Sequence, residues 1–515
     1  MVYSFFLLSE EDRMIKNLSK VFFVSLLISL PASAELTVSS VFADNMVLQR
    51  DAELRVWGEA DAGDSVKVTF NGVTKESRVE DNGEWLLRLP NQSAGGPFEM
   101  TISSAGNTIE FKNILVGDVW VASGQSNMEW RMEKSEDGQA DLEKGISNSN
   151  IRIFRANRST TMEPQENIEA EKSWVAANSY DLRYFSAVAW YFAEYIQKNT
   201  NVPVGIIQSA RGGTRANTWI SHEANSKLSK YSYYQRAFQK YLKANPGDYK
   251  ENYKKWKKGE LKTQPKDPMH YYPGGYFNGM IAPLQPLSIK GVIWYQGETD
   301  RSKHELYKEY FMALIKDWRH GFQNDQLPFI YVQLPKFLYK ARTPKVYDGN
   351  FYPYIREAQQ SALELPHTAM AITIDTGTKD DIHPPLKKTV GERLAIAAMG
   401  VAYNLNDHYM GPIVNNIAIN EDRFEVSFDH VAKGLEFKGS QLKGFSVAGQ
   451  DGVFVDATAT ISGSKVLVEA ESIHEPKFIR YAWAGYPDSN LYNSAGLPAS
   501  PFRNDKFTDL NANAK

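Results

Sequence analysis

Four short blocks of the chain carry residue types that could perform acyl transfer. Ser126 stands in Ser123-Gly124-Gln125-Ser126-Asn127, and Gly212-Gly213 follow Arg211. Gln296 and Glu298 stand in Gln296-Gly297-Glu298-Thr299-Asp300, and His383 follows Asp380-Asp381-Ile382. A serine at a tight strand-to-helix turn is held exposed, where its hydroxyl can meet a substrate and a base. A histidine accepts a proton near neutral pH, and a neighbouring carboxylate can orient it. A Gly-Gly turn can present backbone N–H groups to an anion. Together these are a nucleophile, a base, an orienting acid and oxyanion donors.

Each block also has a plainer reading. Ser126 suits a helix N-cap, Gly212-Gly213 suits an ordinary turn, and His383 is one of nine histidines. Glu298 and Asp300 could be surface charges. No second histidine sits at ligand spacing near them, so neither a metal site nor a cofactor is expected.

The elements that must position these blocks can be read from periodicity. Ile114–Val116 with Val119–Val121, then Val204–Ile207, Gly291–Tyr295, Phe329–Gln333 and Met370–Ile374, read as strands. Amphipathic helical patterns lie between them: Phe185 to Phe192, Leu306 to Trp318, Tyr354 to Leu363 and Leu386 to Ala397. That alternation predicts an α/β unit with a parallel sheet covered by helices on both faces, over about 113–406. Ligands of open parallel sheets bind at the carboxyl ends of the strands, where the four blocks fall. A Lys/Tyr-rich segment at about 221–275 lacks a strand and reads as a helical insert, its lysine run 254–258 being a solvated face. Short alternating strands with Asn-Gly turns predict a β-sandwich-like module at 35–112, and alternation returns in a C-terminal β module at 407–515.

Composition narrows the function. A net charge of -3 argues against a protein held on nucleic acid by phosphate contacts. The absence of cysteine excludes disulfides, thiolate catalysis and Cys-ligated metals. Lys16 and Lys20 precede the apolar run Val21–Leu30, and Pro31-Ala32-Ser33-Ala34 follows. This layout predicts a signal peptide within residues 1–34, a mature chain from near Glu35, a periplasmic or secreted destination, and no membrane span after cleavage. Met14 is the better start within that extension.

The chain resembles the SGNH-hydrolase superfamily and, more narrowly, the sialate O-acetylesterase family of carbohydrate esterases. The matching blocks include Asp44 to Arg50 (DNMVLQR), Gly124 to Trp130 (GQSNMEW) and Gly212-Gly213-Thr214 with Trp219. They continue with Asn278 to Leu284 (NGMIAPL), Gly291 to Glu298 (GVIWYQGE), Asp381 to Pro384 (DIHP) and the tail around Asn490–Arg503. The resemblance implies a three-layer hydrolase domain and a serine esterase that removes O-acetyl groups from sugars. Ser126 would attack the acetyl carbonyl and His383 would be the base. The oxyanion would sit among the N–H of Ser126, that of Gly213 or Gly212, and the side-chain amide of Gln296.

The orienting acid has three candidates: Asp380, favoured slightly by superfamily spacing, Asp381, and Glu298. Arg211, Arg215, Trp130 and Trp219 would line the sugar site. The expected partner is an O-acetylated carbohydrate, either a sialic acid or a plant or algal polysaccharide such as acetylxylan, xyloglucan or pectin. A non-catalytic glycan-binding protein is the competing class. Thr299-Asp300 and Asn217 depart from the family pattern on the substrate side, which bears on the identity of the sugar.

Overall fold

A computed structural model of the chain describes residues 35–338 and 351–507, apart from positions 246, 248, 264 and 266. The expected signal peptide lies outside the described residues. A large sheet forms the centre of the molecule. Its strands are β1 (Asn107–Gly124), β2 (Ser147–Ala156), β3 (Ala170–Asn178), β4 (Val204–Ala210), β5 (Gly291–Tyr295), β6 (Phe329–Gln333) and β7 (Thr368–Ile372). They lie side by side in the order β7-β6-β5-β1-β4-β2-β3. All neighbouring pairs are parallel except the edge pair β2–β3. Every residue of β4 to β7 is buried, as expected of strands covered on both faces.

The helices follow the apolar patterns of the sequence. Among them are α1 (Ser126–Glu129), α2 (Ala187–Thr200), α3 (Tyr231–Ala244), α4 (Tyr249–Lys257), α5 (His304–Gly321), α6 (Tyr352–Gln360) and α7 (Lys387–Val401). Ser186 caps α2 by accepting from the Ala189 N–H, and Asn201 ends it in the left-handed conformation. α3 and α4 belong to the expected insert. It rests on α5, with Tyr234 against Tyr310 and the Ser229 N–H donating to Glu309. In α4, Lys254 and Lys257 face solvent and Lys255 pairs with Glu251 one turn earlier.

β2 and β3 were not foreseen. Ser147–Ala156 begins with four residues of Ser and Asn, and its pairing with β3 is broken by register shifts, so neither strand has clean alternation. The N-terminal strands join the body through β1, which pairs with Gly95–Ser104 and Val47–Gln49 at one end and with β4 and β5 at the other. One apolar core accordingly runs from Val66 and Trp85 to Val121 and Ile293. The C-terminal strands enclose a separate core around Phe424, Val447 and Ile479.

Candidate active site

β1 ends in a backbone that only glycine accommodates. Gly124 has φ +132, and a Cβ there would lie 2.1 Å from the Tyr295 carbonyl oxygen of β5. The chain then turns through Gln125, whose side chain makes no cap bond, and Ser126 is the first residue of α1. Ser126 is therefore not an N-cap. Its Oγ lies 2.9 Å from Nε2 of His383, which arrives on the loop between β7 and α7. The expected serine and base meet across the carboxyl edge of the sheet.

The His383 ring is held on three sides. Trp130 stacks on it, with centroids 4.9 Å apart and planes inclined by 16°. Asp381 accepts the His383 backbone N–H at 2.8 Å and brings Oδ1 to 3.7 Å from Nδ1. Asp381 thus brings a carboxylate toward the ring, although it is exposed. Asp380, favoured on spacing, is also exposed. Glu298 is buried in the site, where it accepts from the Asn127 amide. Burial lowers the His383 pKa, the Lys387 cation lowers it further, and Asp381 opposes both, so the imidazole is poised as a neutral base.

Sequence reasoning missed the network beneath the serine. Lys387, fully buried at the start of α7, donates to Asn127 Oδ1, while the Asn127 amide donates to Glu298 and to the Ile382 carbonyl. Burial pulls the Lys387 ammonium down to about 7, against the opposing attraction of Glu298 and Asp381. Burial also pushes the Glu298 carboxyl up, against its bond from Asn127 and the Lys387 charge. Asn127 sits next to Ser126 in the quoted block and was available as a signal. Lys387 was not, because nothing local ties it to a serine 261 residues earlier.

The oxyanion side departs from expectation in two places. The Gly212 N–H is already taken, donating to Glu129 Oε2 at 2.9 Å, and Arg158 binds the other oxygen of the same carboxylate. Gln296 is buried, and its amide donates to the Thr214 carbonyl at 3.1 Å and to Asp300 at 2.7 Å. Both amide hydrogens are therefore used inside the protein. The N–H groups of Ser126 and Gly213 have no partner among the described residues. Gly213 is exposed and has φ +78, and a turn of this kind can present an N–H to an anion.

Of the expected sugar contacts, Arg211 and Arg215 are half-buried on this loop, and Trp130 is at the site, though packed on the histidine. Trp219 is not at the surface. It is fully buried, stacks on Tyr276, meets Trp294 edge-on and donates to Thr214 Oγ1, so it is core. Among the described residues no cluster of metal-ligating side chains occurs. No helix among them is long and apolar enough to cross a membrane.

The chain is similar to known carbohydrate acetylesterases. Residues 116–400 match the family model described as carbohydrate esterase, sialic acid-specific acetylesterase. A carbohydrate acetylesterase from Xanthomonas citri superposes with a TM-score of 0.79 at 33% identity, covering 92% of this chain and 100% of that one. Sialate O-acetylesterases of Mus musculus and Homo sapiens are each 28% identical, covering 94% and 90% of this chain and 97% and 91% of theirs. A serine–histidine pair at a sheet edge, in a chain matched over more than half its length by that model, is a carbohydrate O-acetylesterase, and the chain belongs to the sialic acid-specific acetylesterase family of carbohydrate esterases.

Proposed function

We propose that the acetyl group leaves the sugar by a Ser126–His383–Asp381 mechanism. Ser126 Oγ attacks the acetyl carbonyl as its proton passes to Nε2 of His383. The oxyanion is met by the N–H groups of Ser126 and Gly213. Collapse breaks the ester bond, and His383 returns the proton to the departing sugar hydroxyl. His383 then takes a proton from the water that attacks the acetyl-enzyme, and as the bond from Ser126 Oγ to the acyl carbon breaks it returns that proton to Oγ, releasing acetate. The observation that carries this reading is the 2.9 Å contact between His383 Nε2 and Ser126 Oγ. Ser126→Ala is expected to lower kcat for a chromogenic acetate ester by about 10⁴–10⁶-fold; activity within tenfold of the parent would end the serine mechanism.

The superfamily assignment rests on the order and placement of the Ser126, Gly213 and His383 blocks after β1, β4 and β7. It gives an SGNH hydrolase unit at about 113–406 in three layers, between β modules at 35–112 and 407–515. The basic-then-apolar start and the small residues up to Ala34 favour export, to be tested by cell fractionation. Acetate release from O-acetylated sialic acid, acetylxylan, xyloglucan and pectin would rank the substrates.

A further inference from the structure

Asn127 follows Ser126 on α1 and is fully buried. Its carboxamide reaches out of its own element to two others. Nδ2 donates to Glu298, after β5, and at 3.0 Å to the Ile382 carbonyl in the loop after β7. Oδ1 accepts from Nζ of Lys387, the first residue of α7. Both amide hydrogens and the oxygen are used, and only one orientation of the amide fits. A flip would turn the NH2 group toward the ammonium and the oxygen toward two acceptors.

Ile382 and Lys387 bracket His383 along the chain. The segment that bears the base is thus fastened on both sides to the residue next to the nucleophile. Between the fastenings, Pro384 and Pro385 each fix a backbone φ, which leaves the segment little freedom of its own. The bond from Asn127 to Ile382 lies one residue along from each partner of the 2.9 Å contact between Ser126 Oγ and His383 Nε2. A shift of the carboxamide therefore moves the serine and the histidine relative to each other.

Lys387 shows that more than packing is involved. Its ammonium is fully buried, with an amide oxygen as acceptor and the rings of Trp130 and Tyr295 at 5.5 and 5.7 Å. Burying a cation is costly, and well-packed apolar side chains often serve stability as well as buried charges do. What the ammonium supplies, and an apolar side chain could not, is a fixed direction for the Asn127 amide. Trp130 in turn stacks on His383, so Lys387 meets both the carboxamide and the ring that backs the base.

We propose that Asn127 is a positioning residue that sets the approach of His383 to Ser126, and that Lys387 acts through it by holding its amide in that orientation. The proposal rests on the Ser126–His383 mechanism and adds what aligns the pair. Asn127→Ala, Lys387→Met and the double variant are compared on 4-nitrophenyl acetate and an acetylated xylo-oligosaccharide. Each kcat is expressed per site titrated with a serine-directed phosphonate, so that unfolded enzyme does not count.

Misplacement by about 1 Å can cost about 10²-fold, so Asn127→Ala is expected to lower kcat by about 10–100-fold. Lys387→Met should lower it by less. KM should hold, and both substrates should fall by the same factor, because the damage lies in the reacting pair and not in sugar binding. The double variant should be no worse than Asn127→Ala alone, since Lys387 has no carboxamide left to hold. The proposal is overturned if Asn127→Ala keeps kcat within about threefold of the parent, if its loss vanishes once titrated sites are counted, or if the double variant falls by the product of the single losses. Asn127→Asp has the same size and keeps the acceptor for Lys387 but loses both donors. It is read in the same way if the alanine variant does not fold. Full activity in Ser126→Ala would instead end the serine mechanism, whereas a dead Ser126→Ala beside a parent-like Asn127→Ala ends only the positioning role.

Discussion

His383 meets two charges of opposite sign, Lys387 and Asp381. Asp381 is 60% exposed and 3.7 Å from Nδ1, so solvent screens it, and its firmest contact is with the backbone N–H. Asp381→Asn is therefore expected to cost well under the ~10⁴-fold loss produced by removing a buried triad acid, with kcat/KM as the readout. Lys387 acts from the buried side. With its pKa lowered, the imidazole stays neutral to lower pH than an ordinary histidine, so the acid limb of kcat/KM should lie below about pH 6.5. Lys387→Met removes one of the two lowering causes, and the limb should move up toward that value. A limb that stayed in place would show that burial alone sets the base. Ser126 and His383 were legible because their blocks are local in the chain. The roles of Glu129 and Lys387 were not, since each depends on a partner from another element.

At the scale of elements, the site is the meeting of strand ends. β1 must approach β5 closely enough for the Gln125 N–H to donate to the Tyr295 carbonyl at 2.9 Å, which leaves no room for a side chain at Gly124. Gly124→Ala adds both a backbone clash and an unfavourable φ, and should destabilise the fold by about 3 kcal/mol or more. A lowered midpoint in denaturant unfolding would register it; an unchanged midpoint would mean that β1 can end elsewhere. Five strands were readable as apolar runs. β2 and β3 escaped because an edge pair with register shifts has no regular period to detect.

For the whole molecule, the C-terminal β module is latched to the catalytic body. Arg356 of α6 is fully buried and donates to the carbonyls of Leu334 and Pro335 after β6, and of Ala484 and Gly485 in the C-terminal module. Arg503 pairs with Glu357, and the Tyr492 hydroxyl reaches Asp375 across the same junction. Arg356→Met strands four carbonyls in a buried joint and is expected to cost about 3–5 kcal/mol. Thermal unfolding should report it as a lower midpoint; an unaltered one would mean that the module adds nothing to the body's stability.

The sequence by itself determined the chemistry, because a parallel sheet gathers the segments after its strands, and the order of blocks along the chain therefore lists the contents of one edge. Only the tertiary structure decided which members of that list stand together at the site. Trp130 and Trp219 are the same residue type in neighbouring blocks, yet one stacks on the histidine and the other is core. Gly212 and Gly213 are adjacent, yet the first N–H is occupied by Glu129 and the second is open. The physical reason is range: hydrophobic periodicity is set by near neighbours, whereas a hydrogen bond depends on tenths of an ångström between residues as far apart as Ser126 and His383.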